Sequence, residues 1–441
     1  MARDSQTLTA CLIDLVRYKP ITDAARDSAG LFVLDTMANA IAARASVPGR
    51  IMIQWAAARP THPATQAFLL GGLSHTLETD DLHRASVTHP GCVVVPVAVA
   101  LGNRNEASGH EVLRAVLHGY EAMCRVGNAV GAVHYRIWHN TATCGPYGSA
   151  MCAADLLKLD DVATQHALGN AGTQSSGLWQ FIETGAMSKH LHAARAAESG
   201  FLAAELAALG FTGPPAILEG SKGFFAAACP DAAPAEVLAN ADAQWQLTMT
   251  SIKPWPSCRH THPSIDAALE LRSKLAGREV MSARAEVYPA ALDVCNRPAP
   301  SNEYEAKFSL QHCIAVALAD GRVDFESFDA MARDQLAALR DRISVVVAEP
   351  FRSLYPQHWG ARLSVTTRDG RTLSAERKDC KGDPGAALDR EAMIEKAMML
   401  MRFGNLPDSH AAALVQAILD LPANKADWKT LRTVLPRSVD V

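Results

Sequence analysis

This chain lacks any run of 18 consecutive apolar residues, and its opening stretch, "MARDSQTLTACLIDLVRYKP", has no apolar signal core. Neither a membrane span nor a secretory leader is expected, which points to a soluble, cytoplasmic protein. No sign of charge dominates: 42 Lys+Arg stand against 46 Asp+Glu, for a formal charge of −4. A sequence pI near 6.5 excludes the broadly basic face that nucleic-acid binding requires. The 10 cysteines form no CxxC pair, so neither a disulfide framework nor a structural zinc site is indicated. Dinucleotide loops, P-loops and GxSxG elbows are missing as well.

What is present is helix. Residues 1 to about 250 read as one Ala- and Leu-rich helical segment after another, among them "SAGLFVLDTMANAIAARA", "HEVLRAVLHGYEAMCRVGNAV" and "YGSAMCAADLLKLD". Beyond "HPSIDAALELRSKLAG" the pattern changes. "EVMSARAEVYPAAL" and "RISVVVAEP" read as strands, and "RLSVTTRDGRTLSAER" as a hairpin turning at Asp-Gly. Two helical stretches, "AKFSLQHCIAVALADG" and "FESFDAMARDQLAALRDR", lie between the first two strands. The expectation is a mostly α protein: a helical domain over 1–266, an α+β domain over 267–395, and C-terminal helices over 396–441 that return to the first domain.

Four polar clusters interrupt this pattern. "SHTLETDDLHRASVTHPG" (74–91) carries Glu78, adjacent Asp80 and Asp81, His83 and His89. Divalent ions bind such Asp/His mixtures, but no known ligand spacing is present, and no metal is expected. The plainer reading is a solvated helix end. "WHNTATCGPYGSA" (138–150) places His139 before threonines and a Gly-Pro-Tyr-Gly turn containing Tyr147, after which a helix begins. Free N–H groups at a helix start can cradle a carboxylate, although Tyr147 could equally pack in a capped loop. "GAMSKHLHAARAAESG" (185–200) opens a helix with Lys189, His190 and His192. The helix dipole opposes a lysine there, unless its amine meets an anion or titrates near neutrality. "SIKPWPSCRHTHPSID" (251–266) gathers Lys253, Arg259, His260 and His262 in a segment stiffened by proline. Its cations can clamp carboxylates and its imidazoles can move protons near pH 7. This inventory suits cofactor-free proton abstraction beside a carboxylate of a small polyanionic substrate.

At these clusters the chain resembles the MmgE/PrpD family. The resemblance is carried in family order by "HTLETDDLHRASVTHPG", "HNTATCGPYGSAMCAADLLKLD", "GAMSKHLHAARAAESGFLAAELAALGFTGP", "KPWPSCRHTHPSIDAALEL" and "KFSLQHCIAVALADG". It implies a large all-helical domain of MmgE/PrpD type built from both chain ends, a smaller α+β lid domain with a cleft between them, a homodimer and no cofactor. It also carries cleft roles onto Glu78, His89, His139, Lys189 and Lys253. Three positions depart from the decarboxylase-like pattern, with Leu82 for threonine, Cys258 for histidine and His312 for tyrosine, which implies a different substrate.

The reaction expected from this reading is epimerisation of iminodisuccinate type, with Lys189 and Tyr147 as bases on opposite faces of one carbon. Glu78, His89 and His139 complete the catalytic set. Lys253, Arg259, Asp81, His83, His192, His262 and His312 are expected around the substrate. The alternatives are a dehydratase of 2-methylcitrate dehydratase type with His139 as leaving-group acid, a cis-aconitate decarboxylase-like lyase, or a non-catalytic binder of a carboxylate metabolite.

Overall fold

The computed structural model describes residues 6–60 and 62–425. The fold class is as expected, mostly α with a small sheet. The chain divides into two compact units, one of Met1–Ser251 with Asp389–Val441 and one of Ile252–Leu388. The division therefore falls after Ser251 rather than at 266, which puts the proline-rich Lys253–Asp266 segment in the smaller unit. The return begins at Asp389, and its helix Arg390–Phe403 packs on the helix Asp23–Ala43.

Asp23–Ala43 starts at Thr22, whose hydroxyl accepts the Ala25 N–H, and is buried over most of its length. Such a helix reads as apolar all round because neighbours cover every side. Its Asp35 is ion-paired with Lys396, whose ammonium also donates to the Thr79 carbonyl at 2.7 Å. The chain's return thus clamps the loop that bears the first polar cluster.

Two further helices, Asn140–Leu156 and Ser188–Ala208, approach closely through small residues. Ser149 Oγ donates to the Ala196 carbonyl at 2.7 Å, and a Cβ on Gly200 would lie only 2.0 Å from Ser149 Oγ. Asn140–Leu156 contradicts the turn expected at "CGPYG", because the helix runs through Pro146. Proline forfeits one ladder bond. The flanking Gly145 and Gly148 admit Val93, Val94, Met123 and Ala196 to contact distance, so packing holds the helix where local propensity would end it.

The smaller unit carries a four-stranded sheet in the spatial order Ile343–Val347, Val280–Val287, Ala361–Thr367, Thr372–Arg377. The first pair is parallel and the other two antiparallel. Gly370, at φ +80, closes the expected hairpin. The helices His262–Leu275 and Leu310–Asp320 pack on the sheet, sharing a core that includes Ile265, Leu271, Cys313, Val316, Leu363 and Val365. "FESFDAMARDQLAALRDR" is not one helix. It breaks at Asp329, whose carboxylate caps the short helix Ala330–Gln335 by accepting the Ala332 N–H at 2.8 Å.

A candidate imidazole–lysine active site in the helical unit

The first cluster is a pinned loop rather than a solvated helix end. The helix Pro63–Ser74 stops just before His75. Farther on, Asp81 accepts the Gly91 N–H at 3.1 Å and the Tyr120 hydroxyl at 2.8 Å, while the Thr79 hydroxyl binds Asn39. Between these anchors Glu78 holds a left-handed backbone, φ +62, which a non-glycine residue adopts at some cost. His75 Nδ1 hydrogen-bonds Asp80 Oδ2 at 2.6 Å, and His89 Nδ1 lies 3.1 Å from the same oxygen.

Other helices complete the arrangement. His139, the N-cap of Asn140–Leu156, lies nearly parallel to His75 with centroids 5.6 Å apart, and its Nδ1 is 3.3 Å from His192 Nδ1. Trp179 covers the other neighbour position of His139 at 4.7 Å. Lys189, in the first turn of Ser188–Ala208, is ion-paired with Glu78. The helix dipole is therefore answered by a carboxylate. His192 also lines an open cavity of about 610 Å³ with Trp138, Phe181, Thr184 and Arg195. A larger groove of about 1070 Å³, lined by residues including Tyr18, Lys19 and Trp245, holds none of these imidazoles.

Burial sets the electrostatics. It pushes the His75 imidazole down to about 3, with nearby Lys189 adding to the effect and Asp80 opposing it. His139 is held well below the usual histidine range by burial and by the surrounding His75, Lys189 and His192. Burial also lowers His192 to about 4. These rings are neutral at pH 7, so each keeps a lone pair for a proton. Although burial penalises its charge, Asp80 stays ionised, because His89 and His75 face it and hold its carboxyl well below the ordinary range. Asp81 goes the other way, raised by burial and by the adjacent Asp80.

Among the described residues, His75, Asp80 and His89 form the one group of three such side chains that could hold a metal ion. The separations fit a shared proton better. Tetrahedral ligands about 2.0–2.1 Å from an ion stand roughly 3.3 Å apart, whereas His75 Nδ1 and Asp80 Oδ2 are at 2.6 Å.

Of the residues singled out in the sequence, Glu78, His89, His139, Lys189 and His192 come together. Tyr147 does not. Its ring lies in the apolar core against Phe224, fully buried, and burial raises its hydroxyl well above the ordinary value. The expected Lys189–Tyr147 pair of bases is corrected accordingly: packing claims the tyrosine. Asp81 is likewise taken up by Gly91 and Tyr120 rather than by a ligand. His83 Nδ1 is hydrogen-bonded to the Ser86 hydroxyl at 2.8 Å, and Leu82–His83 pairs with Thr250–Ser251 as a two-residue ladder.

In the smaller unit, Lys253 is buried. Arg259 is ion-paired with buried Asp383 and donates to His262 Nδ1 at 2.9 Å and to the Lys381 carbonyl at 3.2 Å. His262 Nε2 binds the Ser257 carbonyl at 3.2 Å. His312 Nε2 binds the Ser327 carbonyl at 2.8 Å, and burial lowers its ring to about 4. For Arg259, His262 and His312 the expected substrate contacts give way to bonds within this unit. Sequence reasoning passed over His75 and Trp179. Asp80 stands in the sequence reading as a metal candidate or a solvated acid at a helix end, and the one signal for His75 is its place three residues ahead of Glu78 in the same polar run.

Comparison with known proteins covers nearly the whole chain. Residues 9–236 match the MmgE/PrpD N-terminal domain and residues 255–421 the MmgE/PrpD C-terminal domain. The cis-aconitate decarboxylase of Homo sapiens is 27% identical over 353 residues, covering 76% of this chain and 72% of its own. That of Mus musculus is 28% identical over 348 residues, with 72% and 67% covered. The cis-aconitate decarboxylase of Aspergillus terreus is 25% identical over 354 residues, with 74% and 69% covered.

Proposed function

This chain belongs to the MmgE/PrpD family, and from that premise we propose that it is a lyase removing carbon dioxide or water from a small di- or tricarboxylate. The observation that carries this reading is the withdrawal of Tyr147 into the core while the lysine and the neutral imidazoles stay together. Epimerisation needs opposed acid/base groups on two faces of one carbon, and the residue expected on the second face is enclosed. A lyase needs one set. In a decarboxylation the bond to the departing carboxylate breaks and its electron pair stays on carbon beside a remaining carboxylate; in a dehydration that pair comes from the C–H bond, and in both Lys189 offsets the charge. A proton from the Lys189 ammonium then completes a decarboxylation at carbon; in a dehydration a neutral imidazole takes the proton from carbon and the ammonium protonates the hydroxyl, which leaves as water with its own bonding pair.

The cis-aconitate decarboxylase relatives support a lyase acting on a carboxylate. Leu82, Cys258 and His312 support a polycarboxylate other than cis-aconitate. The same reading makes the protein a cytoplasmic homodimer. Exposed Ile51, Met187 and Leu191 around a groove of about 340 Å³ support the dimer, and sedimentation would check it. No helix of the described residues is long and apolar enough to cross a membrane.

The test is incubation with C4 to C6 di- and tricarboxylates in D2O, following carbon dioxide, alkene absorbance and deuterium uptake. Release of carbon dioxide with one deuterium in the product, or alkene absorbance with no deuterium in the product, supports the lyase. Exchange of an α-hydrogen with no bond cleavage returns the epimerase.

A further inference from the structure

The geometry points to His75 and Asp80 as positioning residues that fix the tautomer of His89, holding its proton on Nδ1 so that Nε2 presents a lone pair. This rests on the cluster being the reaction site, but its test does not. His75 is fully buried, and its Nε2 has no hydrogen-bond partner, while its Nδ1 binds Asp80 Oδ2 at 2.6 Å. A carboxylate only accepts, so the proton in that bond sits on the imidazole. The same oxygen lies 3.1 Å from His89 Nδ1, which makes no well-angled hydrogen bond among the described residues, so the link is electrostatic, and the two rings stand edge to face at 4.7 Å.

An ionised oxygen that close to a ring nitrogen selects the N–H form there, and the opposite nitrogen of His89 becomes the basic one. His75 is then a second donor that keeps the carboxylate from turning away. His89 is the more accessible of the two rings, with 12% of its side chain exposed against 0% for His75. The buried partner sets the orientation and the accessible one moves the proton. Backing a histidine with a carboxylate in this way is a recurrent means of presetting a base.

The experiment is long-range 1H–15N correlation on the full-length protein labelled in histidine, without substrate. The signals of His75 and His89 are identified by their loss in His75→Asn and His89→Gln. We expect both native rings as Nδ1–H tautomers. In Asp80→Asn the amide can donate to His89, and its ring should switch to Nε2–H while His139 is unchanged. A native His89 protonated on Nε2, or one that keeps Nδ1–H in folded Asp80→Asn, overturns the proposal. If Asp80→Asn does not fold, the native spectrum alone decides.

Kinetics add a second readout. His75→Asn retains a donor near the place of Nδ1 and should keep most of kcat, whereas His75→Leu should lose about 10- to 100-fold in kcat with little change in KM. Equal losses in both variants would mean only a packing role. A protein that shows the expected tautomers yet turns over no polycarboxylate would sink the lyase reading and leave this one standing.

Discussion

Two regions of this molecule read alike in sequence and differ in what they do with their charge. "SKHLH" and "KPWPSCRHTH" both crowd cations with histidines. In the smaller unit, Arg259 meets a buried carboxylate, a carbonyl and a ring nitrogen, so its charge is neutralised where it stands and its guanidinium is held above its ordinary value. In the helical unit, one lysine–glutamate pair stands beside several neutral rings that bond mainly to one another and to Asp80. A buried cation paired with a carboxylate of its own unit is structure, even where its Nε finds no hydrogen-bond partner among the described residues. Clustered neutral imidazoles keep proton capacity, and maintaining them costs stability, which is the pattern of a functional site.

The contrast can be broken with substitutions. Lys189→Ala should lower turnover by at least about 1000-fold with the circular dichroism spectrum kept, since it removes the charge offset at the reacting carbon. A loss under tenfold would put the chemistry elsewhere. Arg259→Leu should act on stability, costing about 3–5 kcal/mol in urea unfolding because Asp383 is left buried without its cation. If Arg259→Leu instead folds normally and fails only in substrate binding, the distinction between the two regions is lost.

Acid should probe burial in both regions, since burial lowers His260 and His312 of the smaller unit to about 4 as well. The lowered rings of His75, His192 and His139 stay neutral in the folded protein well below the unfolded value near 6.5. The unfolded chain then binds more protons as pH falls, so stability present above about 6.5 is lost between there and about pH 4. Thermal melts across that window should show Tm falling steadily, and a flat Tm down to pH 4.5 would contradict the burial-driven shifts. Smallest of all should be Tyr147→Phe, with kcat changed less than about threefold and stability within about 1 kcal/mol. A loss of 100-fold or more would restore the tyrosine as an acid or base.

Much of the fold was legible because its signals are periodic. The alternating strands and the Asp-Gly turn appear where the pattern places them, as does the start of the lysine-bearing helix. The misses are places where tertiary packing overrides a local rule. Pro146 sits inside a helix because its glycine neighbours admit other helices, and Tyr147, one residue on, was read as a turn residue near the site when it faces the core. The cluster was half legible. Residue types announced Lys189, Glu78, His89 and His139, but nothing in a linear sequence says that Asp80 turns toward His75, or that Asp383 reaches Arg259 from 124 positions away.

The most direct measurement is an NMR titration of the histidine rings from pH 8 to pH 5 on the native protein. His75, His139 and His192 should hold their neutral-ring shifts throughout. Midpoints near 6 to 6.5 for these three would show them hydrated and charged, and the claim that burial sustains a neutral proton-accepting cluster around Lys189 would be contradicted.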